Sequence, residues 1–403
     1  NCATMETLLQ AGVNNADLLI AMTGADELNL LCSMTAHGIN PNIHTIARIC
    51  NPDYTDQVYK MQKTFALSLT VNPEKQAAIE IERLLKFPGF LKRDSFAKGR
   101  VEIVELRVDE RSRLCNVALS ELNRVIKCRV LICAVLRRGD VVAPDGSFVL
   151  REGDRIFVTA STEILATLLD NLGIITKKVN HVMICGGGRV SYYLAQQLEK
   201  DGMTVRLIEK DPKHCEELAA LLPKTEIIND DASNTFVLKR ENLESCDALV
   251  TATGMDELNM IISLYGTKHG VSQVITKLGH MENGSMIDQL PIGSTIWPKD
   301  LCCNGIVRYI RAMHNQTGAA VSVHSIADGK AEAIEFHVEE KKPYCDKPLK
   351  NMKVKQNILV ACITHGGVTE LPGGDSVIRE GDTVVVVTTR NDIIYKLDDI
   401  FEA

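Results

Sequence analysis

The glycine-rich segment Gly186-Gly-Gly-Arg-Val-Ser191 offers the clearest chemistry in this sequence. It lies between an apolar stretch that predicts a buried strand and a stretch that predicts a helix, which is the context in which such a motif binds a dinucleotide. Glycine permits a tight turn and a close approach of the backbone to a pyrophosphate, whose charge is met by free amides and the helix dipole. Ser191 stands where a third glycine is usual, and this weakens the match.

Glu209 ends the next predicted strand, 23 residues after Gly186. Dinucleotide-binding folds carry an acidic residue about 20 residues after the glycines, where the carboxylate binds the ribose hydroxyls. An acid here favours NAD(H) or an adenine nucleotide over NADP(H). The alternative is that the turn only joins a strand to a helix, and for the glycine motif alone the two interpretations are about equally good. Strand, turn, helix and acid together favour binding.

Polar residues also follow the next two predicted strands of this region. Asp230-Asp-Ala-Ser233 comes after the third strand, and Thr253-Gly254 comes after the fourth. Ligands of open α/β sheets bind over the carboxyl ends of the strands, so these residues are candidates for the same site. Helix capping, by Ser233 and by Asp256, is the alternative interpretation.

Alternating strands and helices must position these residues. The sequence predicts strands at 182–185, 204–208, 226–228 and 248–252, and helices at about 190–200, 212–222, 235–243 and 256–267. Strands that alternate with helices indicate a parallel, doubly wound sheet, and therefore an α/β fold.

A long internal repeat organises the chain. Asp17-Leu-Leu-Ile-Ala-Met-Thr-Gly-Ala-Asp-Glu-Leu-Asn29 recurs 230 residues later as Asp247-Ala-Leu-Val-Thr-Ala-Thr-Gly-Met-Asp-Glu-Leu-Asn259. Further along, the block that ends in Arg-Glu-Gly-Asp154 recurs 228 residues later, ending at Asp382. The nearly equal shifts indicate two tandem copies of one two-domain unit.

The second part of each copy has a different pattern. In the first copy, residues 101–108 alternate between apolar and polar, 129–136 is predicted to be a central strand, and 154–160 a closing strand before a helix at 163–172. This order predicts a small α+β domain. Leucine-rich helices at 73–86 and around 301–313 join the two parts. Whether they only pack, or also form a hinge or a subunit contact, stays open.

The composition argues against several classes of function. The chain has 403 residues, of which 45% are apolar, and a formal net charge of −7. Duplex nucleic acids require a concentrated basic face, and the sequence has no block of lysines and arginines. Its longest apolar runs are strand-length, against the roughly 20 residues that span a bilayer, so a membrane role requires a partner. The thirteen cysteines include no Cys-x-x-Cys pair, which is typical of reduced thiols in a cytoplasm.

The chain resembles the RCK (KTN) family of proteins, which regulate potassium channels and transporters. The resemblance rests on the Gly186 turn with Glu209, the two Thr-Gly-x-Asp-Glu-Leu-Asn blocks, residues 47–54 and 72–85, and the Arg-Glu-Gly-Asp turns at Arg151 and Arg379. It extends over the whole chain. The glycine motif alone is not specific, whereas the doubled order of domains is.

The resemblance implies four domains: a Rossmann-like domain at 1–90 and another at 179–315, each with its crossover helix, and small C-terminal RCK domains at 99–175 and 318–403. In the second unit the nucleotide contacts of the family correspond to Gly186, Gly187, Gly188, Arg189, Val190, Glu209, Asp231, Ala232, Thr253 and Lys277. In the first unit they correspond to Asn1, Cys2, Thr23 and Arg48. Because the sequence opens at Asn1 in a polar turn, we expect a fragment without the front of its first domain. The ligand of the first site therefore stays open.

By the same resemblance the chain is a cytoplasmic regulatory subunit and not an enzyme. It would assemble into a homo-oligomeric ring beneath a Trk-type integral membrane potassium transporter subunit, on the inner face of the plasma membrane and without entering the bilayer. There it would gate potassium transport in response to NAD(H) or to ATP and ADP. Such gating requires a ligand that binds two conformations unequally, since equal affinity shifts no equilibrium.

The main alternative is an NAD-dependent oxidoreductase, which needs an acid or base beside the nicotinamide ring. The domains after the predicted nucleotide-binding domains are small and β-rich, and the candidate bases are dispersed: His181, His269, His280 and His314. A redox-sensing transcription factor would need a DNA-reading element, and the sequence has no basic recognition helix. Neither alternative is favoured.

Overall fold

The computed structural model describes residues 1–86, 89–109, 112–173, 178–279, 287, 290–313, 320–327, 329–389 and 393–402. Along the chain a parallel sheet is followed by an antiparallel sheet, and this order occurs twice. The predicted fold class and the tandem arrangement are thereby confirmed. None of the helices in these ranges combines the length and the apolar content needed to cross a bilayer.

The first parallel sheet has three strands in the order β1-β2-β3. Its elements are α1 (Met5–Gln10), β1 (Leu18–Ala21), α2 (Asp26–Ile39), β2 (His44–Arg48), α3 (Pro52–Lys60), β3 (Leu69–Val71) and α4 (Pro73–Lys86). The face of α2 that carries Cys32 and Ala36 is buried against β1 and α1. This packing holds the amino end of α2 at the carboxyl edge of the sheet.

The first antiparallel sheet has the strand order β4-β5-β8-β6-β7. Its elements are β4 (Lys92–Phe96), β5 (Val101–Arg107), α5 (Leu122–Ile126), β6 (Leu131–Arg137), β7 (Asp140–Val142), β8 (Arg155–Ala160) and α6 (Thr162–Leu172). The strand predicted at 129–136 is present as β6 and is paired on both sides, but the middle position of the sheet belongs to β8, which pairs with both β5 and β6. The closing strand of the sequence is therefore the middle strand of the sheet.

The second parallel sheet has six strands in the order β11-β10-β9-β12-β13-β14. Its elements are β9 (His181–Cys185), α7 (Arg189–Lys200), β10 (Thr204–Glu209), α8 (Pro212–Leu221), β11 (Glu226–Asn229), α9 (Thr235–Arg240), β12 (Ala248–Thr251), α10 (Asp256–Lys268), β13 (Gln273–Lys277), β14 (Ser294–Ile296) and α11 (Pro298–Met313). This is the doubly wound order 3-2-1-4-5-6, whose topological switch point lies between β9 and β12.

The second antiparallel sheet repeats the order of the first, as β15-β16-β19-β17-β18. Its strands are β15 (Ala320–Ile326), β16 (Ala331–His337), β17 (Ile358–His365), β18 (Val368–Glu370) and β19 (Thr383–Thr388). The two antiparallel sheets share one core, in which Phe96 and Phe157 of the first pack with Ala333 and Val385 of the second. The small domains therefore form a pair.

The connecting helices are exchanged between the two halves. Helix α4, which follows the first parallel sheet, buries Ala77 and Ile81 in the same core as α7 and the second parallel sheet. Helix α11, which follows the second parallel sheet, packs Cys302 and Ile306 against β2 and β3 of the first. Each parallel sheet is thus covered by the helix that follows the other, and in this way the two halves are joined.

Candidate nucleotide-binding site

The glycine turn begins where β9 ends, next to the switch point. Gly186 has a φ of +98°, and a Cβ there would lie 2.8 Å from the Cα atom of Thr253. A side chain at this position would therefore need both a left-handed backbone and space that the chain after β12 occupies. Glycine is thus required here by the tight turn and by the neighbouring backbone of Thr253.

Helix α7 starts directly after the turn and carries no side-chain cap. Its N-cap residue is Gly188, and its first residue, Arg189, is exposed. The amides of an uncapped first turn and the helix dipole together attract an anionic group. Val190 is buried in the core below the turn, and so is Ser191, whose hydroxyl has no hydrogen-bond partner among the described residues. The serine in place of a third glycine is thus accommodated inside the fold.

The Glu209 carboxylate lies against the glycine turn. Its Oε2 accepts a hydrogen bond from the Gly187 amide at 2.7 Å, and its Oε1 accepts one from the Asp211 amide at 2.9 Å. Each carboxylate oxygen has a second lone pair, so the half-buried group keeps capacity to accept hydrogen bonds from ribose hydroxyls. The predicted acid and the predicted turn are therefore in direct contact.

His214 also contacts the glycine turn, and sequence reasoning missed it. Its Nε2 lies 2.9 Å from the Gly187 carbonyl oxygen, and its Nδ1 lies 3.0 Å from Glu217 Oε2. The hydrogen bond with Glu217 raises the pKa of the imidazole above its ordinary value. The only available signal was its place in the first turn of α8, whose amino end is capped by Asp211.

Asp231 and Ala232 follow β11 at the outer side of the same edge. Asp231 is exposed, and its carboxylate accepts a hydrogen bond from the Ser233 amide at 2.8 Å, which lowers its pKa. Ala232 is buried. The capping role considered for Ser233 is wrong, because the N-cap of α9 is Asn234 and its side chain accepts from the Phe236 amide.

Asn259, fully buried in α10, joins the ends of β12 and β13. Its Oδ1 accepts from the Thr253 amide at 2.9 Å and the Thr253 hydroxyl at 2.7 Å, while its Nδ2 donates to the Lys277 carbonyl oxygen at 3.0 Å. The Lys277 ammonium donates to the Thr253 carbonyl oxygen at 2.8 Å, and burial lowers the pKa of this lysine. Thr253 and Lys277 are therefore held together by one buried amide, which we call the Asn259 clasp.

The first unit has the same arrangement around Asn29. Its Oδ1 accepts from the Thr23 amide and hydroxyl, both at 2.7 Å, and its Nδ2 donates to the Arg48 carbonyl oxygen at 2.9 Å. We call this the Asn29 clasp. The sequence shows both Thr-Gly-x-Asp-Glu-Leu-Asn blocks, but no role was predicted for their asparagines. The signal that could have indicated a role is that both blocks end in an asparagine.

Asp256 does not cap its own helix, so the capping interpretation is wrong. Its carboxylate oxygens accept from the Gly279 amide after β13, at 2.9 and 2.8 Å. Asp26 makes the equivalent contacts in the first unit, to the amides of Cys50 at 2.9 Å and Asn51 at 2.7 Å. Each aspartate is the first helical residue, and its side chain reaches the loop after the neighbouring strand.

The four predicted residues of the first unit are only partly brought together. Thr23 and Arg48 are joined through the Asn29 clasp. Arg48 Nη2 lies 3.2 Å from Glu74 Oε1, so this cation has a partner within the chain. Asn1 bonds to the Ala3 amide, and the Cys2 carbonyl oxygen accepts from Cys32 Sγ at 3.2 Å. No hydrogen bond within the described residues connects Asn1 or Cys2 to Thr23 or Arg48.

Of the candidate bases for an oxidoreductase, those that the structure describes do not lie at this edge of the sheet. His181 is the first residue of β9, at the amino end of the strand. His269 follows the last residue of α10 and lies 3.0 Å from Glu244 Oε1. His280 and His314 lie outside the described residues. The two histidines that can be placed are thus at the opposite end of the sheet from the glycine turn.

Comparisons with known proteins identify both kinds of domain. The TrkA-N domain model matches residues 1–69 and 182–298, and the TrkA-C domain model matches residues 103–173 and 333–401. The Trk system potassium uptake protein TrkA homolog of Archaeoglobus fulgidus is 29% identical over 401 residues, which cover 100% of this chain and 89% of that protein. The Trk system potassium uptake protein TrkA of Haemophilus influenzae is 27% identical over 405 residues, which cover 98% and 87%.

Solved structures with a similar fold include two of GsuK. The GsuK RCK domain matches with a TM-score of 0.59 and 14% identity, over 96% of this chain and 81% of that one. The GsuK channel bound to NAD matches with a TM-score of 0.58 and 15% identity, over 96% and 67%. At these identities the likeness concerns the fold, which is that of tandem RCK domains.

Proposed function

The chain belongs to the TrkA family of potassium uptake proteins, and we propose that it is the regulatory subunit of such a system. It binds NAD(H), or ATP and ADP, at the carboxyl edge of the second parallel sheet. Binding changes the conformation of the chain and thereby gates a Trk-type integral membrane potassium transporter. We assign it no catalytic step.

The observation that carries this proposal is the contact between Glu209 and the glycine turn. A carboxylate that accepts from the Gly187 amide at 2.7 Å stands beside an uncapped helix start. The first feature suits the ribose hydroxyls of an adenine nucleotide, and the second suits its phosphates. A carboxylate would repel the 2′-phosphate of NADP(H), so the adenosine part of the ligand is unphosphorylated at that position.

NAD(H) is the ligand we favour, and the GsuK channel bound to NAD supports it as a structure with the same fold. The residues that bind it in this chain are Gly186, Gly187, Gly188, Arg189, Val190, Glu209, Asp231, Ala232, Thr253 and Lys277. In the first unit, Asn1, Cys2, Thr23 and Arg48 contribute to a second site, whose ligand we do not assign.

Calorimetry with the purified chain tests nucleotide binding. NADH, NAD, ATP and ADP are each titrated into wild type, Glu209→Ala and the control Glu226→Gln. Glu226 is an acidic residue whose Oε2 lies 2.7 Å from Arg206 Nε, and it does not contact the glycine turn. We expect saturable binding that weakens about tenfold or more in Glu209→Ala, because hydrogen bonds to a charged group are lost. Equal affinity in the two variants would contradict the proposed site.

Transport measurements test the regulatory role. The chain and a Trk-type membrane subunit are reconstituted into liposomes, and potassium uptake is measured with and without the nucleotide that calorimetry identifies. The chain acts from the cytoplasmic face as a homo-oligomeric ring, so mass measurement of the purified protein should give several copies. Uptake that is the same with and without nucleotide would contradict gating, since a ligand must distinguish two states to shift them.

A further inference from the structure

The side chain of Tyr193 connects α7, the helix after the glycine turn, to the first half of the molecule. Tyr193 lies on α7, one turn after Arg189. Its hydroxyl donates to the Cys50 carbonyl oxygen at 3.0 Å and accepts from Asn72 Nδ2 at 3.1 Å. Both Tyr193 and Asn72 are buried, with exposed fractions of 5% and 8%. This hydroxyl is therefore fully engaged across the boundary between the two units.

The partners of Tyr193 lie at the carboxyl edge of the first sheet. Cys50 follows Arg48 by two residues, in the loop after β2, and Asn72 directly follows β3. The Asn72 side chain also accepts from the Lys75 amide at 2.8 Å, so it closes the first turn of α4. A third contact, 3.3 Å to Thr55 Oγ1, is weaker because the Thr55 hydroxyl already donates to Asn51. The tyrosine thus bonds to two strand ends of the first unit.

The residues at the equivalent strand ends differ in the second unit. Gly279 and Trp297 occupy the positions that correspond to Cys50 and Asn72 in the repeat. A tryptophan indole can donate but offers no acceptor, and it cannot reproduce the amide of Asn72. The strand end of the second unit therefore lacks the side-chain amide that bonds to Tyr193 at the strand end of the first.

We propose that Tyr193 is a positioning residue that couples occupancy of the Gly186 site to the loop after β2 in the first unit. This rests on the function proposed above. A nucleotide at the amino end of α7 orders that end of the helix, and packing of α7 on α4 makes the helix move as one body. The Tyr193 hydroxyl then carries the change to the Cys50 carbonyl and to the loop that the Asp26 carboxylate also holds.

Hydrogen–deuterium exchange of the full chain, with and without NADH, tests the coupling. In wild type we expect exchange in peptides covering residues 49–56 to slow by about threefold to tenfold with NADH, the range that one hydrogen bond supports. In Tyr193→Phe, which keeps the ring in the core, this change disappears while NADH affinity stays within about threefold. Tyr192→Phe is the matched control, because no hydrogen bond of its hydroxyl is present among the described residues.

The outcomes separate the two proposals. Loss of the NADH effect at 49–56 in Tyr193→Phe alone, with binding retained, supports the coupling. Three outcomes overturn the coupling and leave the proposal of nucleotide binding intact. They are an undiminished NADH effect on exchange in Tyr193→Phe, an equal loss of that effect in Tyr192→Phe, and no effect in a wild type that binds NADH. If wild type binds none of the four nucleotides, the proposed function fails, and the coupling fails with it.

Discussion

The carboxyl edges of the two parallel sheets share a buried clasp and differ in their cations. Asn29 and Asn259 are both fully buried and hold equivalent strand ends by the same hydrogen bonds. Arg48, however, reaches Glu74 on α4, whereas Lys277 donates back to Thr253 within its own edge. The two copies share the buried asparagine that fixes the strand ends. They differ in the partner of the cation, which is a carboxylate for Arg48 and a backbone carbonyl for Lys277.

The small domains also combine a shared backbone contact with a side-chain partner that differs between the copies. Asp154 and Asp382 are buried and accept from the amides of Arg151 and Arg379, which closes each Arg-Glu-Gly-Asp turn. The guanidinium of Arg137 donates two bonds to Asp154, both at 2.7 Å, while Asp382 receives a single contact from His365 at 2.8 Å. The turn recurs, and the side chain that bonds to its aspartate differs.

Removing either clasp asparagine should have the largest effect. Asn259→Ala and Asn29→Ala each truncate a fully buried side chain and remove its bonds to a part-buried amide N–H and a part-buried carbonyl oxygen, which together costs about 4 kcal/mol of local stability. Exchange rates of amides in β12–β13 and β1–β2 measure the loss, with the exposed Asn42→Ala as control. If one copy tolerates the change and the other does not, the equivalence of the two clasps is wrong.

The connecting helices should differ in their response to pH. Burial, and then the charge of Asp94, raise the pKa of Glu80 on α4 to about 7, although Arg83 and Lys92 act in the opposite direction. The folded chain then keeps a proton that the unfolded chain releases near pH 4.5, so stability falls as pH rises from about 5 to 8. The corresponding residue of α11 is Gly305, which has no such group.

Glu80→Gln should remove this pH dependence. As pH rises from 5 to 8, the free energy of unfolding of the variant should increase by about 3 kcal/mol relative to that of wild type. Urea unfolding at several pH values measures this, with Glu82→Gln on the same helix as control. Parallel pH profiles for wild type and Glu80→Gln would show that the Glu80 carboxyl does not titrate in this window.

Gly186→Ala tests the contact between the glycine turn and the Asn259 clasp. The added Cβ meets the backbone of Thr253, and the left-handed φ adds strain, so we expect a cost of about 2 kcal/mol and loss of nucleotide binding. Gly202→Ala is the matched control. Gly202 has a similar φ of +77°, but no atom lies within 4 Å of its added Cβ, so only the backbone cost of about 1 kcal/mol remains. Thermal unfolding and calorimetry on both variants measure the difference.

The Arg-Glu-Gly-Asp turns should show the smallest difference. Asp154→Asn removes the negative charge and one of the two oxygens that accept from the Arg137 guanidinium, so at most one of these bonds remains. Asp382→Asn removes the same charge beside an imidazole that makes a single contact. We expect Asp154→Asn to be the more destabilising by about 1 kcal/mol, judged by thermal unfolding of the two variants. A larger loss in Asp382→Asn would reverse the ranking of the two turns.

Local features were predictable from the sequence, and long-range ones were not. The strand before Gly186 and the carboxylate of Glu209 follow from periodicity and spacing over a few tens of residues. The exchange of α4 and α11 depends on residues more than 100 positions apart that share one core, such as Ile81 and Leu194, and periodicity shows only that a helix face is apolar. The contact of His214 with Gly187 had only one weak signal, the place of the histidine in a first helical turn, where a histidine is usually solvated.

The exchanged helices also impose an order on synthesis. The first parallel sheet is translated well before α11, which supplies Cys302 and Ile306 to its face. Until α11 has left the ribosome, this apolar face of the first parallel sheet stays exposed, and such surfaces attract chaperones or cause aggregation. Truncation before α11 should therefore yield an insoluble first unit, because the apolar face of the first parallel sheet stays uncovered.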